Sequence, residues 1–116
     1  MLALAQRLGL DAAATLAVIE QSSGQSWIGS DRLRRALAGD TAPRAHMALL
    51  AKDSALALDA AQAAGARVPV GVAAALHFAQ ALQHGLARED DSALWRWLAD
   101  GAGSSVTPPA GSGTAP

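Results

Sequence analysis

Hydrophobic residues recur every three or four positions along most of the chain, which is the repeat of an α-helix with one buried face. Glycine, proline, serine or aspartate interrupts this repeat at intervals, and such residues are typical of helix ends and turns. The interruptions fall at Gly9, residues 22–24, residues 39–43, Gly65, Gly85 and Gly101. The pattern therefore predicts about six helices.

The interruptions also carry helix-end signals. Asp11 can accept hydrogen bonds from the free N–H groups at the start of the second helix, and Ser26 or Ser30 can do so for the third. Pro43 suits a first helical position, so the fourth helix is expected to run from about Pro43 to Ala64. The fifth and sixth helices are expected to begin at Pro69 and after residues 89–92.

Two helices have a marked apolar side. The second is expected to face the core with Leu16, Val18 and Ile19. The sixth places the side chains of residues 94, 95 and 98 on one face, and its two tryptophans are interpreted as core or interface residues. These faces predict helices that pack on one another.

The segment Val68–Ala87 has no charged side chain and is long enough to span a bilayer. It contains His77 and Gln80, however, and an unpaired imidazole or amide in hydrocarbon costs several kcal/mol. Val72 and Leu76 follow a one-sided stripe. An amphipathic helix of a soluble protein is therefore the preferred interpretation.

The composition supports an all-α fold, a helical bundle of about six helices. Alanine is abundant, β-branched residues are sparse, and there are one phenylalanine and no tyrosine. After Gly101 the chain consists almost entirely of Gly, Ser, Thr, Pro and Ala, which bury too little apolar surface to offset the entropy of ordering. We expect one helical domain over residues 1–100 and a disordered tail over residues 101–116.

The charge balance excludes several classes of partner. Nine Lys and Arg residues against ten Asp and Glu residues give a net charge of −1, so neither nucleic acid nor a membrane is an expected partner. The chain has no cysteine and hence neither a disulfide nor a thiolate nucleophile, which is consistent with the reducing cytoplasm. The first residues do not form a signal peptide.

Lys52 is the most informative candidate for chemistry, because its helical neighbours include Leu49 and Leu56. Its stem could cover this apolar stripe while the ammonium reaches water. Alternatively, the ammonium lies at the lip of a cleft and binds an anionic group or a cofactor. Asp53 follows directly and is either a solvated charge or a part of the same cleft.

The remaining residues give no sign of catalysis by this chain. His77 and His84 lie two helical turns apart, which is too far for one metal ion, so no metal site is expected. Phosphate-binding glycine motifs and the nucleophile motif G-x-S-x-G are absent from the sequence. No catalytic residue is therefore assigned.

Several short segments, taken in order, resemble a known family: residues 3–11, the Ser-Ser-Gly-Gln-Ser-Trp loop at 22–27, residues 52–58, residues 68–70 and residues 85–93. They resemble the C-terminal all-α domain of the β-hydroxyacid dehydrogenases, the family of 3-hydroxyisobutyrate dehydrogenase. Pro43-Arg44 and the Asp-Asp-Ser-Ala segment at 90–93 are most similar to its L-threonate dehydrogenase group. The resemblance implies a fold like the C-terminal domain of 6-phosphogluconate dehydrogenase.

The resemblance further implies NAD- or NADP-dependent oxidation of a small 2- or 3-hydroxy acid by a homo-oligomeric enzyme. Lys52 would contact the cofactor near the nicotinamide, Asp53 would contact the substrate or its lysine, and Trp27 and Ser23 would line the substrate end. Ala45 stands where many relatives have a substrate-contacting phenylalanine, which implies a roomier pocket. The family's dinucleotide-binding domain and catalytic lysine would lie upstream of Met1, so we expect the chain alone to be inactive. The alternative is a standalone helical interaction module.

Overall fold

A computed structural model describes residues 1–101. This part of the chain forms six α-helices: α1 Leu2–Arg7, α2 Ala12–Glu20, α3 Trp27–Leu37, α4 Met47–Ala63, α5 Pro69–Gln83 and α6 Ala93–Ala99. The predicted all-α bundle is confirmed. Apart from Gly101, the tail that was predicted to be disordered lies outside the described residues.

Most helix ends follow from local sequence, as predicted. The Asp11 carboxylate accepts a hydrogen bond from the Ala14 N–H at 2.7 Å, and the Ser26 hydroxyl accepts one from the Gly29 N–H at 3.1 Å. Of the two serines considered for α3, Ser26 is therefore the cap. Gly85 adopts φ +84 just after α5, a left-handed conformation that glycine reaches without steric penalty.

The predicted start of α4 is wrong. Pro43 lies outside the helix, which begins at Met47. The residues just before it pair with a distant segment instead, since His46 forms an antiparallel bridge with Asp90 and the Ala45 carbonyl accepts the Asp91 N–H at 2.9 Å. Pairing with a segment far along the chain thus delays the start of the helix.

The helices form two groups that meet at α6. In the first group α1 packs against α2 and α6, and α2 packs against α3. In the second group α4 and α5 form a long antiparallel hairpin, and α5 also contacts α6. Met47, Ala81 and Trp97 are buried together where the hairpin meets α6, with Phe78 and Leu82 packed around them. This cluster is the centre of the core.

One predicted core face is partly wrong. Leu16 is buried and Ile19 is half-buried, whereas Val18 is 69% exposed because it lies on the opposite side of α2. Trp97 belongs to the core cluster, as expected for a tryptophan of the sixth helix. Within residues 1–101, no helix combines the length and the apolar character needed to cross a membrane.

Candidate functional site

Lys52 and Asp53 lie in the second turn of α4 and point outward. The Lys52 ammonium is 2.8 Å from Asp53 Oδ1, and both side chains are more than half exposed. Leu49 and Leu56 are also exposed, at 45% and 57%. The predicted apolar stripe through Lys52 therefore exists, but it does not face the core of the described chain.

The opposite side of α4 is the one that packs against α5. Leu58 on this side lies close to Gly71 of α5. The less exposed residues of α4 recur at helical spacing; they are Met47, Leu50, Ala51, Ser54, Leu58 and Ala61. One face of α4 therefore packs against α5, and the face that carries Lys52 is exposed.

The Ser-Ser-Gly-Gln-Ser-Trp loop precedes α3 and is exposed. Ser22 lies just after α2, and its hydroxyl donates to the Ile19 carbonyl of that helix at 2.9 Å. Ser23 is exposed, and Trp27, the first residue of α3, is 72% exposed. Since α3 packs chiefly on α2 and α4 chiefly on α5, residues 1–101 do not bring Trp27 and Ser23 into one cluster with Lys52 and Asp53.

Sequence reasoning missed the role of Asp90, which entered only as part of the segment before the sixth helix and of the resemblance at residues 90–93. Its side chain is almost fully buried, with 3% of the residue exposed. Oδ1 accepts the Arg44 N–H at 2.9 Å, and Oδ2 accepts both the N–H and the hydroxyl of Ser92. Burial by itself would raise the pKa of Asp90, but these hydrogen bonds and the nearby Arg32 lower it to about 2.

Asp91 sits in a different environment. It pairs with Arg32 at 2.8 Å, and both side chains are largely shielded from water. Burial raises the pKa of Asp91 although Arg32 opposes the shift. Two adjacent aspartates of the sequence thus have pKa values displaced in opposite directions. The only sequence signal for this difference is the serine two residues after Asp90.

An open, mostly apolar cavity of about 370 Å³ lies between α1, α3, α5 and α6. Ile28, Phe78 and Trp95 contribute to its wall, and Arg32 and Asp91 border it. The cavity draws its lining from residues that are far apart in sequence, so no local pattern predicted it. Among residues 1–101, no group of three or more His, Asp or Glu side chains is arranged to hold a metal ion.

Comparison with known proteins identifies the family to which this helical domain belongs. A family described as "NAD-binding of NADP-dependent 3-hydroxyisobutyrate dehydrogenase" matches residues 1–98. The chain belongs to this family, whose cofactor is NAD or NADP.

Individual relatives agree with the family. The chain is 36% identical over 93 residues to L-threonate dehydrogenase of Cupriavidus necator and 32% identical to that of Escherichia coli strain K12, in each case over 80% of this chain and 31% of the relative. A crystal structure of 3-hydroxyisobutyrate dehydrogenase from Salmonella typhimurium superposes with a TM-score of 0.77 at 32% identity, covering 82% of this chain and 33% of that one. The predicted resemblance to the L-threonate dehydrogenase group is confirmed, and the chain spans about one third of these relatives.

Proposed function

We propose that this chain is the helical part of an NAD- or NADP-dependent dehydrogenase that oxidises a small 2- or 3-hydroxy acid similar to L-threonate. The observation that carries the proposal is the match to L-threonate dehydrogenases over 93 residues. The open face of α4 supports it, because Lys52 and Asp53 stand on an exposed apolar stripe that a further part of an enzyme can cover. The absence of cysteine supports a cytoplasmic location.

The cofactor supplies the acceptor for the hydride that leaves the alcohol carbon. Within this chain, the Lys52 ammonium suits the anionic dinucleotide, since its side chain is more than half exposed and can form a charge-assisted contact. In this proposal Asp53 accepts a hydrogen bond from a substrate hydroxyl or from a lysine. Trp27 and Ser23 would line the substrate end if a further part of the enzyme closed over both helices.

Oxidation of a hydroxy acid also needs a group that takes the hydroxyl proton, and we assign no residue of this chain to that step. The chain by itself is therefore proposed to be inactive. In this proposal it contributes the cofactor contact of Lys52, a substrate wall and a surface for homo-oligomerisation. A helical interaction module without catalysis is the competing function, and the exposed side chains of Trp27 and Leu56 are the observation that favours it.

The test compares the 116-residue chain with a hybrid enzyme, in which the chain replaces the matching third of E. coli L-threonate dehydrogenase. Both are incubated with NAD⁺ or NADP⁺ and with L-threonate, glycerate or 3-hydroxyisobutyrate, and formation of reduced nicotinamide is followed by absorbance. We expect turnover of L-threonate by the hybrid enzyme and none by the chain alone. A hybrid enzyme that folds but oxidises none of these acids would favour the interaction module.

Lys52→Met in the hybrid enzyme removes the charge and keeps the apolar stem. We expect kcat/KM for the cofactor to fall about ten- to a hundredfold, because a charge-assisted contact contributes about 1.5–3 kcal/mol. Arg67→Met is the matched control, since Arg67 is an exposed cation in the turn between α4 and α5. Equal kcat/KM values for Lys52→Met and wild type would contradict the proposed contact between Lys52 and the cofactor.

A further inference from the structure

The start of α4 is capped by a distant part of the backbone. Within the part of the chain that the structure describes, no side chain caps this helix. The Met47 and Ala48 N–H groups, which have no partner inside a helix, donate instead to the carbonyls of Glu89 at 3.0 Å and Ala87 at 3.1 Å. The direction in which α4 leaves its first turn is therefore set by residues 87–89.

Further hydrogen bonds join the same two segments. The Asp91 N–H donates to the Ala45 carbonyl at 2.9 Å, and His46 Nδ1 lies 2.9 Å from the Arg88 carbonyl oxygen. We call the paired segments 44–48 and 87–92 the clasp. The clasp connects the first turn of α4 to the start of α6.

Asp90 is the side chain that holds the clasp together. One carboxylate oxygen binds the Arg44 N–H on the first segment, and the other binds the N–H and hydroxyl of Ser92 on the second. The carboxylate is buried and its pKa is lowered to about 2, so it is ionised at neutral pH, and losing these donors would leave a buried charge without partners. Loss of this charge would loosen both segments at once.

We propose that Asp90 is a positioning residue that fixes the orientation of Lys52 and Asp53 through the clasp. Lys52 lies about 7.5 Å along the helix axis from Met47, so a change in the direction of the first turn carries the ammonium with it. The other main contact of α4 is α5, which packs on α6 through the core cluster, so the clasp is the part of this anchorage that acts directly on the backbone of the first turn of α4. The inference rests on the proposed function, because Lys52 meets a cofactor only there.

A purely structural role for Asp90 predicts something different. In that case Asp90 would raise the stability of the fold, and its loss would reduce activity by the same factor whether or not Lys52 is present. A positioning role requires the effect to depend on Lys52. The two roles are therefore separated by a double-mutant cycle and by a local measurement at the clasp.

The local measurement is amide hydrogen exchange of the 116-residue chain. In Asp90→Asn we expect the Met47 and Ala48 amides to exchange about tenfold faster or more, because the clasp opens more often. Asp91→Asn is the matched control, since the Asp91 side chain binds Arg32 and only its backbone N–H belongs to the clasp. Ser92→Ala removes a single donor and provides a milder variant if Asp90→Asn unfolds the chain. Unchanged exchange in Asp90→Asn and Ser92→Ala would overturn the proposal.

The kinetic measurement uses the hybrid enzyme with Asp90→Asn, Lys52→Met and both. We expect Asp90→Asn to raise the KM for the cofactor and to lower kcat/KM about tenfold when Lys52 is present, and less than about twofold in the Lys52→Met background. The same factor in both backgrounds would overturn the positioning role and leave the proposed function intact. If Lys52→Met alone has no effect, the assigned role of Lys52 fails and positioning fails with it.

Discussion

Asp90 and Asp91 show that neighbouring residues of one type can serve opposite energetic roles. The folded state stabilises the charged form of Asp90, whose pKa is lowered to about 2, and disfavours the charged form of Asp91, whose pKa is raised by burial. Ionised Asp90 therefore adds to stability at neutral pH, whereas ionised Asp91 subtracts from it. The difference arises from the number of N–H and O–H donors around each carboxylate.

The lowered pKa of Asp90 predicts a specific acid sensitivity. Its stabilising contribution is present above the ordinary aspartate pKa of 3.8 and is lost as the pH falls towards about 2. The shift corresponds to about 2 kcal/mol. Urea unfolding of wild type and Asp90→Asn should show a gap of this order at about pH 6 that narrows at about pH 3. A gap that is independent of pH would contradict this assignment of the pKa.

For single residues, the sequence predicted the apolar stripe around Lys52 but not the burial of Asp90. Helical spacing placed Lys52 between Leu49 and Leu56, and the structure has this stripe. The roles of Lys52, Asp53, Trp27 and Ser23 stay predictions. The burial of Asp90 depends in part on the Arg44 N–H, a donor 46 positions away, and periodicity carries no information about such a contact.

At the scale of elements, Gly85 and Gly71 differ in whether alanine can replace the glycine without strain. Gly85 has φ +84 beyond the end of α5, whereas Gly71 lies inside α5, where an added Cβ would make ordinary contacts of 3.6–3.7 Å with Val68 and Leu58. We expect Gly85→Ala to lower the free energy of unfolding by about 1 kcal/mol and Gly71→Ala to raise it by about 0.5–1 kcal/mol. Thermal and urea unfolding measure both changes. Changes of the same sign in both variants would contradict the argument.

The helix ends show where local sequence is sufficient and where it fails. Asp11 and Ser26 were predicted as caps because a cap needs only a side chain and N–H groups two or three residues away. Pro43 was a reasonable first helical residue by the same local rules. The pairing of segment 44–48 with segment 87–92 prevents a helix from starting at Pro43. These hydrogen bonds join residues at or before the start of the hairpin to residues that follow it, so local rules cannot predict them.

At the scale of the molecule, the described chain exposes several large apolar side chains, among them Leu4, Leu8 and Leu56. Apolar surface of this kind favours association, so we expect dimers or larger species in sedimentation velocity at tens of micromolar. Replacing Leu4 of α1 and Leu8, the residue after this helix, by Gln should shift the chain towards monomer. Val18→Gln is the control, because Val18 is equally exposed but lies on α2. A monomeric wild-type chain would count against homo-oligomerisation.

The composition of residues 102–116 leads to a further prediction for the whole chain. These residues are almost all Gly, Ser, Thr, Pro and Ala, and are expected to contribute little to the core. A chain that ends at Gly101 should melt at the same temperature as the full chain within error. Limited proteolysis of the full chain should remove this segment first. A drop of several degrees on truncation would show that the segment packs on the domain.

The clasp also brings the two ends of the α4–α5 hairpin together, since the Ala48 N–H lies 3.1 Å from the Ala87 carbonyl oxygen. The half of the hairpin near this junction also packs on α6 through Phe78 and Ala81, so the far half, around Gly65, is the part that can change in length with least effect on the other helices. Insertions of whole helical turns at the Gly65 bend would extend the hairpin without altering the junction. The Gly65 end of the hairpin is thus the part of this domain whose length can change while the other four helices stay constant.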